Sequence, residues 1–251
     1  MINAKQIYDY IDSIAPFETQ MSFDNAGLLV GSEQTKSEKV LIALDADRSV
    51  IEEAIRLDAN IIVTHHPVIF RPLKTLLSDS VPYLAAQNRI TIISAHTNLD
   101  IARGGVNDTL AAAIGVTADQ FFDEDCALLG HFENVMHSSE LAQKIKQNLR
   151  IHGLRYTDSG NPVRTAVVAC GAGGGSVDLA ASLGADAIIT GEIKHHEIIF
   201  ANEHHIAVFD LGHYHSENLI IGRLADLFRQ QFPDTEWICS ASFTDGMIYL
   251  S

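Results

Sequence analysis

Two stretches of the sequence, 126 positions apart, share one strand–helix–strand pattern, and this repeat constrains the fold more than any other feature. Residues 39–66 read KVLIALDADRSVIEEAIRLDANIIVTHH, and residues 165–192 read TAVVACGAGGGSVDLAASLGADAIITGE. Their strand segments are continuously apolar, which is typical of strands covered on both faces. Because a helix joins the two strands of each unit, we expect them to pair in parallel.

A second correspondence follows each unit. After the strand segment RITIISA come His96 and, four positions on, Asp100; after HIAVFDLG come His213 and, four positions on, Glu217. Chance similarity between strand–helix–strand units is the alternative, but the matching histidine and acid favour related halves. The sequence therefore predicts an α/β protein of two similar α/β halves, each with a mainly parallel sheet flanked by helices, facing a shared metal-binding cleft.

The order of the segments predicts a discontinuous first domain. Residues 127–164 connect the halves, and the final segment carries a helix, SENLIIGRLADLFRQQF, and the strand EWICSAS. We expect this final part to return to the first half. The predicted domains are residues 1–126 with 218–251, and residues 127–217.

Composition narrows the classes of function. The formal net charge of −15 disfavours a surface that holds nucleic acid by releasing counterions. No apolar run approaches the length of roughly 18 residues that a membrane span needs. The N-terminal residues alternate at helical spacing without a signal-peptide core, and the three cysteines form no CxxC pair, so a cytoplasmic protein with reduced thiols is expected.

Residues of the kinds that bind metals follow three of the predicted strands. Parallel α/β proteins bind ligands at the carboxyl ends of their strands, and these residues all stand at such ends. The candidates are His65, His66, His96, Asp100, His213 and Glu217. Imidazole and carboxylate without thiolate favour Zn, Fe, Mn, Co or Ni over a cysteine-based structural site.

The arrangement indicates more than one ion. Neighbouring residues of an extended chain point to opposite sides, so His65 and His66 are expected to reach two ions side by side. His213 and Glu217 would share one face of a helix that begins near His213. A carboxylate such as Glu217 can bridge two ions about 3.5–4 Å apart, which is the spacing of two-metal hydrolytic sites that activate water.

Other histidines and glycines have plainer interpretations. A histidine pair alone is a weak motif, because most histidines are ordinary surface or core residues. His195, His196, His204 and His205 are excluded from the predicted metal set; the last two are typical of a solvated helix end, and His195 is placed nearest the cleft. The GAGGGS stretch, residues 171–176, lacks the Walker A and GxGxxG spacings and favours a tight strand-to-helix turn, although its helix N-terminus could attract an anion.

Six segments together resemble one known family, the Nif-three-like dinuclear-metal proteins, often labelled GTP cyclohydrolase 1 type 2 homologues. They span nearly the whole chain in the expected order: FDNAGLLVG (23–31), VTHHP (63–67), AHTNLD (95–100), GAGGGS (171–176), ITGEIKHHE (189–197) and DLGHYHSE (210–217). The short connection between the halves resembles the compact members without an inserted domain. Glu192 stands where aspartate is commoner in the family.

The resemblance implies two divalent metal ions per subunit and a ligand for each predicted position. His66 and Asp100 would hold one ion, His65 and His213 the other, and Glu217 would bridge both. His96 would lie beside them as an extra ligand or as a partner of the ligands. The resemblance also implies a toroidal homohexamer, a trimer of dimers, with the metal sites facing an internal cavity.

Two functions of different classes follow. The first is a metal-dependent hydrolase acting on a nucleotide-like or phosphorylated small molecule, which the cyclohydrolase label implies by resemblance. The alternative is a non-catalytic metal-handling protein or oligomeric binding scaffold. The sequence has no guanine-specific signature, and neither the native metal nor the substrate can be derived from it.

Overall fold

The computed structural model describes residues 1–248. The strands of this range are β1 (Ile2–Asn3), β2 (Gly27–Val30), β3 (Lys36–Ser37), β4 (Lys39–Ala43), β5 (Ile61–Thr64), β6 (Thr91–Ser94), β7 (Val116–Phe122), β8 (Ala127–Met136), β9 (Arg155–Tyr156), β10 (Val163–Ala169), β11 (Ala187–Thr190), β12 (Ala207–Asp210) and β13 (Glu236–Cys239). The helices are α1 (Ala4–Ile14), α2 (Arg48–Leu57), α3 (Val81–Gln87), α4 (Thr97–Ile101), α5 (Val106–Ile114), α6 (Ser138–Leu149), α7 (Val177–Leu183), α8 (His195–Glu203), α9 (His213–Glu217) and α10 (Leu219–Gln231).

The chain divides into two compact units. Within the described residues, the first unit comprises residues 1–102 and 220–244, and the second comprises residues 103–219 and 245–248. The chain enters the second unit at residue 103, before the predicted boundary at residue 126. The reason is that β7 pairs along its length with β8 and so belongs to the second sheet. The return of the chain to the first unit at residue 220 lies two positions from the expected one.

The first unit contains a five-stranded sheet in the order β13-β4-β5-β6-β2. Strands β13, β4, β5 and β6 are parallel, and only the edge strand β2 runs antiparallel. A separate antiparallel pair joins β1 to β3. Every residue of β5 and β6 is buried, as the continuous apolar runs predict for strands with both faces covered. The mainly parallel sheet expected for this half is therefore confirmed.

Helix α2 shows how local sequence sets the crossover between β4 and β5. The Asp47 carboxylate accepts a hydrogen bond from the Val50 N–H at 2.9 Å and begins the helix. Val50, Ile51 and Ala54 recur at helical spacing and are buried. Asp58 adopts the left-handed conformation at the end of the helix, with φ 58°, and returns the chain to the sheet.

The second unit contains a six-stranded sheet in the order β7-β8-β10-β11-β12-β9. The central strands β10, β11 and β12 are parallel and repeat the arrangement of β4, β5 and β6. The three outer pairings are antiparallel, so this sheet is mixed and not mainly parallel as expected. The difference arises because β7 and β8 are joined by a short turn, and short turns connect antiparallel neighbours.

Each unit has an apolar core built on its sheet. The first core includes residues of β4, β5, α2 and α3, and the second includes residues of β10, β11, α7 and α8. The two crossover helices, α2 and α7, therefore bury their apolar faces in the same way. Among the described residues no helix combines the length and hydrophobicity required to cross a membrane.

A buried carboxylate ties the end of the first unit to α2. Glu53 is 4% exposed, and it accepts hydrogen bonds from the Ser240 hydroxyl and from the Ala241 and Ser242 N–H groups. Burial opposes the charge, but the hydrogen bonds led by Ser240 outweigh it, so the pKa of Glu53 lies below its ordinary value. Glu53 therefore stabilises the segment that follows β13 only while it is ionised.

We expect Glu53→Gln to lower the free energy of unfolding by about 1–3 kcal/mol near neutral pH, since hydrogen bonds to a buried charged acceptor are lost. A carboxylate whose pKa is lowered on folding stabilises the protein above its unfolded pKa and loses that effect as the pH falls through its folded pKa. The difference from the wild-type protein should thus shrink in acid. Urea unfolding across a pH series measures it, with the exposed neighbour variant Glu52→Gln as control; a difference that is equally large in acid would contradict this role.

Candidate metal centre

Three histidines of the first unit stand at one edge of its sheet. His65 and His66 directly follow β5, and His96 follows β6 after a single residue. Because β5 and β6 are parallel and in register, Thr64 opposite Ser94, their carboxyl ends meet at the same edge. The backbone N–H groups of His65 and His66 continue to donate to the carbonyls that end β4, at 3.3 and 2.9 Å. The chain is therefore held in place where the imidazoles leave it.

The three imidazoles converge. Their ring centroids lie 4.9 Å apart for His65 and His66, 5.2 Å for His65 and His96, and 5.5 Å for His66 and His96. One ring nitrogen from each lies within 4.8 Å of those of the other two, so this set could hold a metal ion. The convergence of the rings leaves the expectation that His65 and His66 reach two ions side by side as a prediction.

The Nδ1 atom of His65 lies 2.8 Å from the carbonyl oxygen of Ala95. A carbonyl oxygen can only accept, so Nδ1 carries the proton of the neutral ring and Nε2 carries the lone pair. His65 is fully buried. The carbonyl group of Ala95 therefore orients the His65 ring so that its Nε2 atom is available as a metal ligand.

Carboxylates fix the other two rings in the same way. His66 Nδ1 lies 2.9 Å from Asp45 Oδ1, and His96 Nδ1 lies 2.8 Å from Asp24 Oδ1. Metal-binding histidines commonly donate their second ring N–H to such acceptors, which sets the tautomer and raises the basicity of the ligand atom. All three rings of the cluster are thus prepared to offer Nε2.

Asp24 is the most constrained of these carboxylates. Burial opposes its ionisation, but hydrogen bonds from His96 and Thr97 outweigh this, and its pKa falls to about 2. The group is therefore ionised at every pH at which the protein would work. An ionised partner acts only as an acceptor toward His96.

Asp100 belongs with His65. It lies in α4, is nearly buried, and places Oδ1 3.4 Å from His65 Nε2. The resemblance paired Asp100 with His66 instead. The short helix α4 sets the observed pairing, because its N–H groups at Leu99 and Asp100 both bond the carbonyl of His96 and turn the carboxylate toward His65.

The second unit carries a histidine and an acid at the equivalent edge. Gly212, with φ 84°, lies two residues after β12 and caps the N-terminus of α9, in which His213 Nε2 lies 3.1 Å from Glu217 Oε2. His213 Nδ1 lies 2.9 Å from Glu192 Oε1, which follows β11. The predicted sharing of one helical face by His213 and Glu217 is confirmed, and Glu217 is 3% exposed.

Two glycines make room for this pair. A Cβ atom on Gly171 would lie 2.1 Å from Glu217 Oε1 and 3.2 Å from His213 Nε2, and Gly171 also has φ +54°. A Cβ atom on Gly191 would lie 2.5 Å from Ser216 Oγ. The Gly171 N–H donates to the same Ser216 hydroxyl at 2.9 Å. The first glycine of the GAGGGS stretch therefore accommodates a buried carboxylate, a role beyond the predicted tight turn.

The remaining glycines of that stretch form a turn. Residues Gly173–Ser176 adopt a 3₁₀ helix that leads into α7, which agrees with the predicted strand-to-helix connection. The other histidine-rich run is exposed at His195 and His196, at the start of α8, and at His204 and His205, at its end. None of these four joins a candidate metal cluster in residues 1–248.

Asp24, Asp45 and Glu192 were not among the predicted site residues. Asp45 and Glu192 stand just after β4 and β11, so the rule that selected the histidines at strand ends could have selected them too. Asp24 lies in a loop before an antiparallel edge strand, where no strand-end rule applies. Only its place in the FDNAGLLVG segment marked it.

The fold and these residues define an α/β protein with candidate metal-binding clusters at the carboxyl ends of its strands. The family model for DUF34/NIF3 (NGG1p interacting factor 3) matches residues 2–246, and the chain belongs to this family. The resemblance found in the sequence is thereby confirmed.

Named relatives and a solved structure agree. A Clostridium perfringens protein named GTP cyclohydrolase 1 type 2 homolog is 32% identical over 97% of this chain and 98% of its own length. A Helicobacter pylori protein named GTP cyclohydrolase 1 type 2 is 30% identical over 91% of this chain and 93% of its own. The crystal structure of the Staphylococcus aureus hypothetical protein SA1388 aligns with a TM-score of 0.90 at 26% identity, covering 99% of both chains.

We expect Gly171→Ala to lower the free energy of unfolding by about 1–3 kcal/mol, because a strained backbone and a displaced Glu217 carboxylate both carry a cost. Gly175→Ala is the matched control within the same loop, since nothing lies within 4 Å of a Cβ atom there. Chemical unfolding of both variants measures the difference. Equal stability of the two variants would show that the close approach of Glu217 to Gly171 does not affect the free energy of unfolding.

Proposed function

We propose that the protein binds two divalent metal ions per subunit and is a metal-dependent hydrolase of a nucleotide-like or phosphorylated small molecule. One observation carries the proposal. Four imidazoles, those of His65, His66, His96 and His213, each place Nδ1 within 2.9 Å of an oxygen acceptor. His131 and His204 make the same kind of Nδ1 contact but join no candidate metal cluster in residues 1–248, whereas ring nitrogens of His65, His66 and His96 converge within 4.8 Å. An oriented Nδ1–H together with such convergence is expected of metal ligands.

The donor set suits first-row divalent ions. It consists of imidazole nitrogens with the carboxylates of Asp100 and Glu217, and it contains no thiolate, which favours Zn, Fe, Mn, Co or Ni. When bound in pairs, such ions act as Lewis acids and activate water for hydrolysis. The buried carboxylate of Glu217 is shaped for this role, since Gly171 gives it space and His213 holds it in place.

The proposed assignment takes ligands from both units. Asp100 would hold an ion together with His65, because their side chains already lie 3.4 Å apart. His66 and His213 would hold the second ion, and Glu217 would contribute its carboxylate to both. This exchanges His65 and His66 relative to the assignment that the family resemblance implies. His96 lies beside His65 and His66, with ring centroids 5.2 and 5.5 Å from theirs.

Aromatic side chains near the cluster, and basic residues that follow one of them in the sequence, support the proposed class of substrate. Phe70 lies 6.0 Å from the His96 ring and 6.4 Å from the Phe23 ring, and these phenylalanines are 41% and 62% exposed. Exposed rings can stack on a planar heterocycle. Arg71 and Lys74 follow Phe70, are exposed, and supply positive charge for phosphate in an otherwise acidic chain. Both features suit a nucleotide-like molecule, as the names of the Clostridium and Helicobacter relatives do.

Two further expectations remain predictions. These are the toroidal homohexamer, a trimer of dimers, and the cytoplasmic location. The size of the purified particle in solution would test the first of them.

We expect His65→Ala and His66→Ala each to lower the bound metal by one ion per subunit, because each removes one imidazole ligand. Elemental analysis after dialysis measures the metal content per chain. His204→Ala, at the exposed end of α8, is the matched control and should retain the wild-type content. Full occupancy in both site variants would remove the two-ion assignment.

We expect the Mn-, Fe- or Zn-loaded protein to hydrolyse at least one member of a panel of nucleotides, phosphoesters and cyclic amidines. Glu217→Ala should abolish that turnover, since it removes the proposed bridging carboxylate. Absence of turnover throughout, with two ions bound, would replace the hydrolase by the alternative, a metal-handling or scaffold protein. Undiminished turnover in Glu217→Ala would exclude this site as the active site.

A further inference from the structure

The buried carboxylate of Asp24 is not among the proposed metal ligands. Its side chain is fully buried, although it lies in the loop that precedes β2. Oδ1 lies 2.8 Å from His96 Nδ1 and also accepts from the Asn25 N–H at 2.7 Å, and Oδ2 accepts from the Thr97 N–H at 3.0 Å and from the Thr97 hydroxyl at 2.5 Å. Both oxygens are thus engaged with the two residues that begin α4.

The two oxygens have separate tasks. Thr97 holds Oδ2 with two donors, and the Thr97 hydroxyl in turn accepts from the Met21 N–H at 2.9 Å. The backbone N–H of Thr97 has to be met by an acceptor, because it is buried. This fixes the plane of the Asp24 carboxylate, so that only Oδ1 can face His96.

We infer that Asp24 is a positioning residue: it holds His96 in the Nδ1–H tautomer and turns the Nε2 lone pair of that ring toward His65 and His66. The ring contacts of His96 with both histidines place it in the cluster, and a ring nitrogen from each of the three lies within 4.8 Å of the others. His96 then serves as a third imidazole ligand from the first unit. This last step rests on the proposed metal site, whereas the tautomer does not.

Asparagine at position 24 would keep the shape of the Asp24 side chain but reverse the tautomer of His96. Its single amide oxygen is required by the N–H of the buried Thr97, whereas the N–H of the exposed Asn25, which donates to Oδ1 in the wild-type protein, can turn to solvent. The NH₂ group of the variant therefore faces His96. An NH₂ group only donates, and Nδ1 must then be unprotonated. His96 shifts to the Nε2–H form, in which Nε2 can no longer bind a metal.

Asp119 offers a matched control outside the candidate metal clusters of residues 1–248. Its carboxylate also accepts from a histidine Nδ1, that of His131, at 2.7 Å, and its side chain is 45% exposed. An asparagine at position 119 can rotate so that its oxygen faces His131 and its NH₂ group faces solvent. Asp119→Asn should therefore leave the tautomer of His131 unchanged.

The first measurement is ¹⁵N NMR of histidine-labelled, metal-free protein at a pH where the imidazoles are neutral. We expect the Nδ1–H form of His96 in the wild-type protein and the Nε2–H form in Asp24→Asn. An Nε2–H form in the wild-type spectrum overturns the inference without any variant. So does an Nδ1–H form that persists in a folded Asp24→Asn protein.

The second measurement is cobalt(II) affinity, followed by the visible absorption of the bound ion. Outer partners of metal-bound histidines typically contribute 10–100-fold, so Asp24→Asn should weaken binding by about that factor while Asp119→Asn leaves it unchanged. In a His96→Ala background Asp24→Asn should have no further effect, because Asp24 acts through His96. An equal loss in that background would show a merely structural role and overturn the inference. Absence of cobalt binding by the wild-type protein would instead remove the proposed metal function, while the NMR result still decides the tautomer.

Discussion

Parallel pairing of β4, β5 and β6 is the constraint on which the rest of the first unit depends. It brings the carboxyl ends of three strands to one edge, and each end contributes a residue of the site, Asp45, His66 and His96 in turn. The strands themselves are held by burial on both faces, with no exposed residue in β5 or β6. Apolar packing thus fixes the spacing of polar groups that contribute nothing to that packing.

The strand pairing and the position of the histidines were predictable from the sequence, whereas the partners of the histidine side chains were not. Continuous apolar runs joined by a helix imply parallel pairing, and parallel pairing implies a shared edge, so His65, His66 and Asp100 could be predicted together. The acceptors that orient His65 and His66 could not, since the Ala95 carbonyl and the Asp45 carboxylate follow the neighbouring strands β6 and β4 and no pattern in the sequence links them to β5. The contact between Asp24 and His96 spans 72 positions and involves a loop without periodicity, so no local pattern reports it.

The two units use equivalent positions differently. After β5 the first unit has His65 and His66, whereas after β11 the second has Gly191 and Glu192. Gly191 lies so close to Ser216 that a side chain would not fit, and Glu192 accepts from His213 instead of acting as a candidate ligand. One copy of the repeat therefore supplies imidazoles at this point, and the other supplies the space and the acceptor that orient an imidazole of the next segment.

The acceptor of His65 differs in kind from those of the other three histidines. His66, His96 and His213 rely on carboxylates, each of which a single base change in the gene could alter, whereas His65 relies on the main-chain oxygen of Ala95. No substitution at position 95 removes that oxygen, and no change of pH protonates it. Single substitutions can therefore change the Nδ1 acceptors of His66, His96 and His213 one at a time. The acceptor of His65 can change only if the backbone that joins β6 to α4 moves.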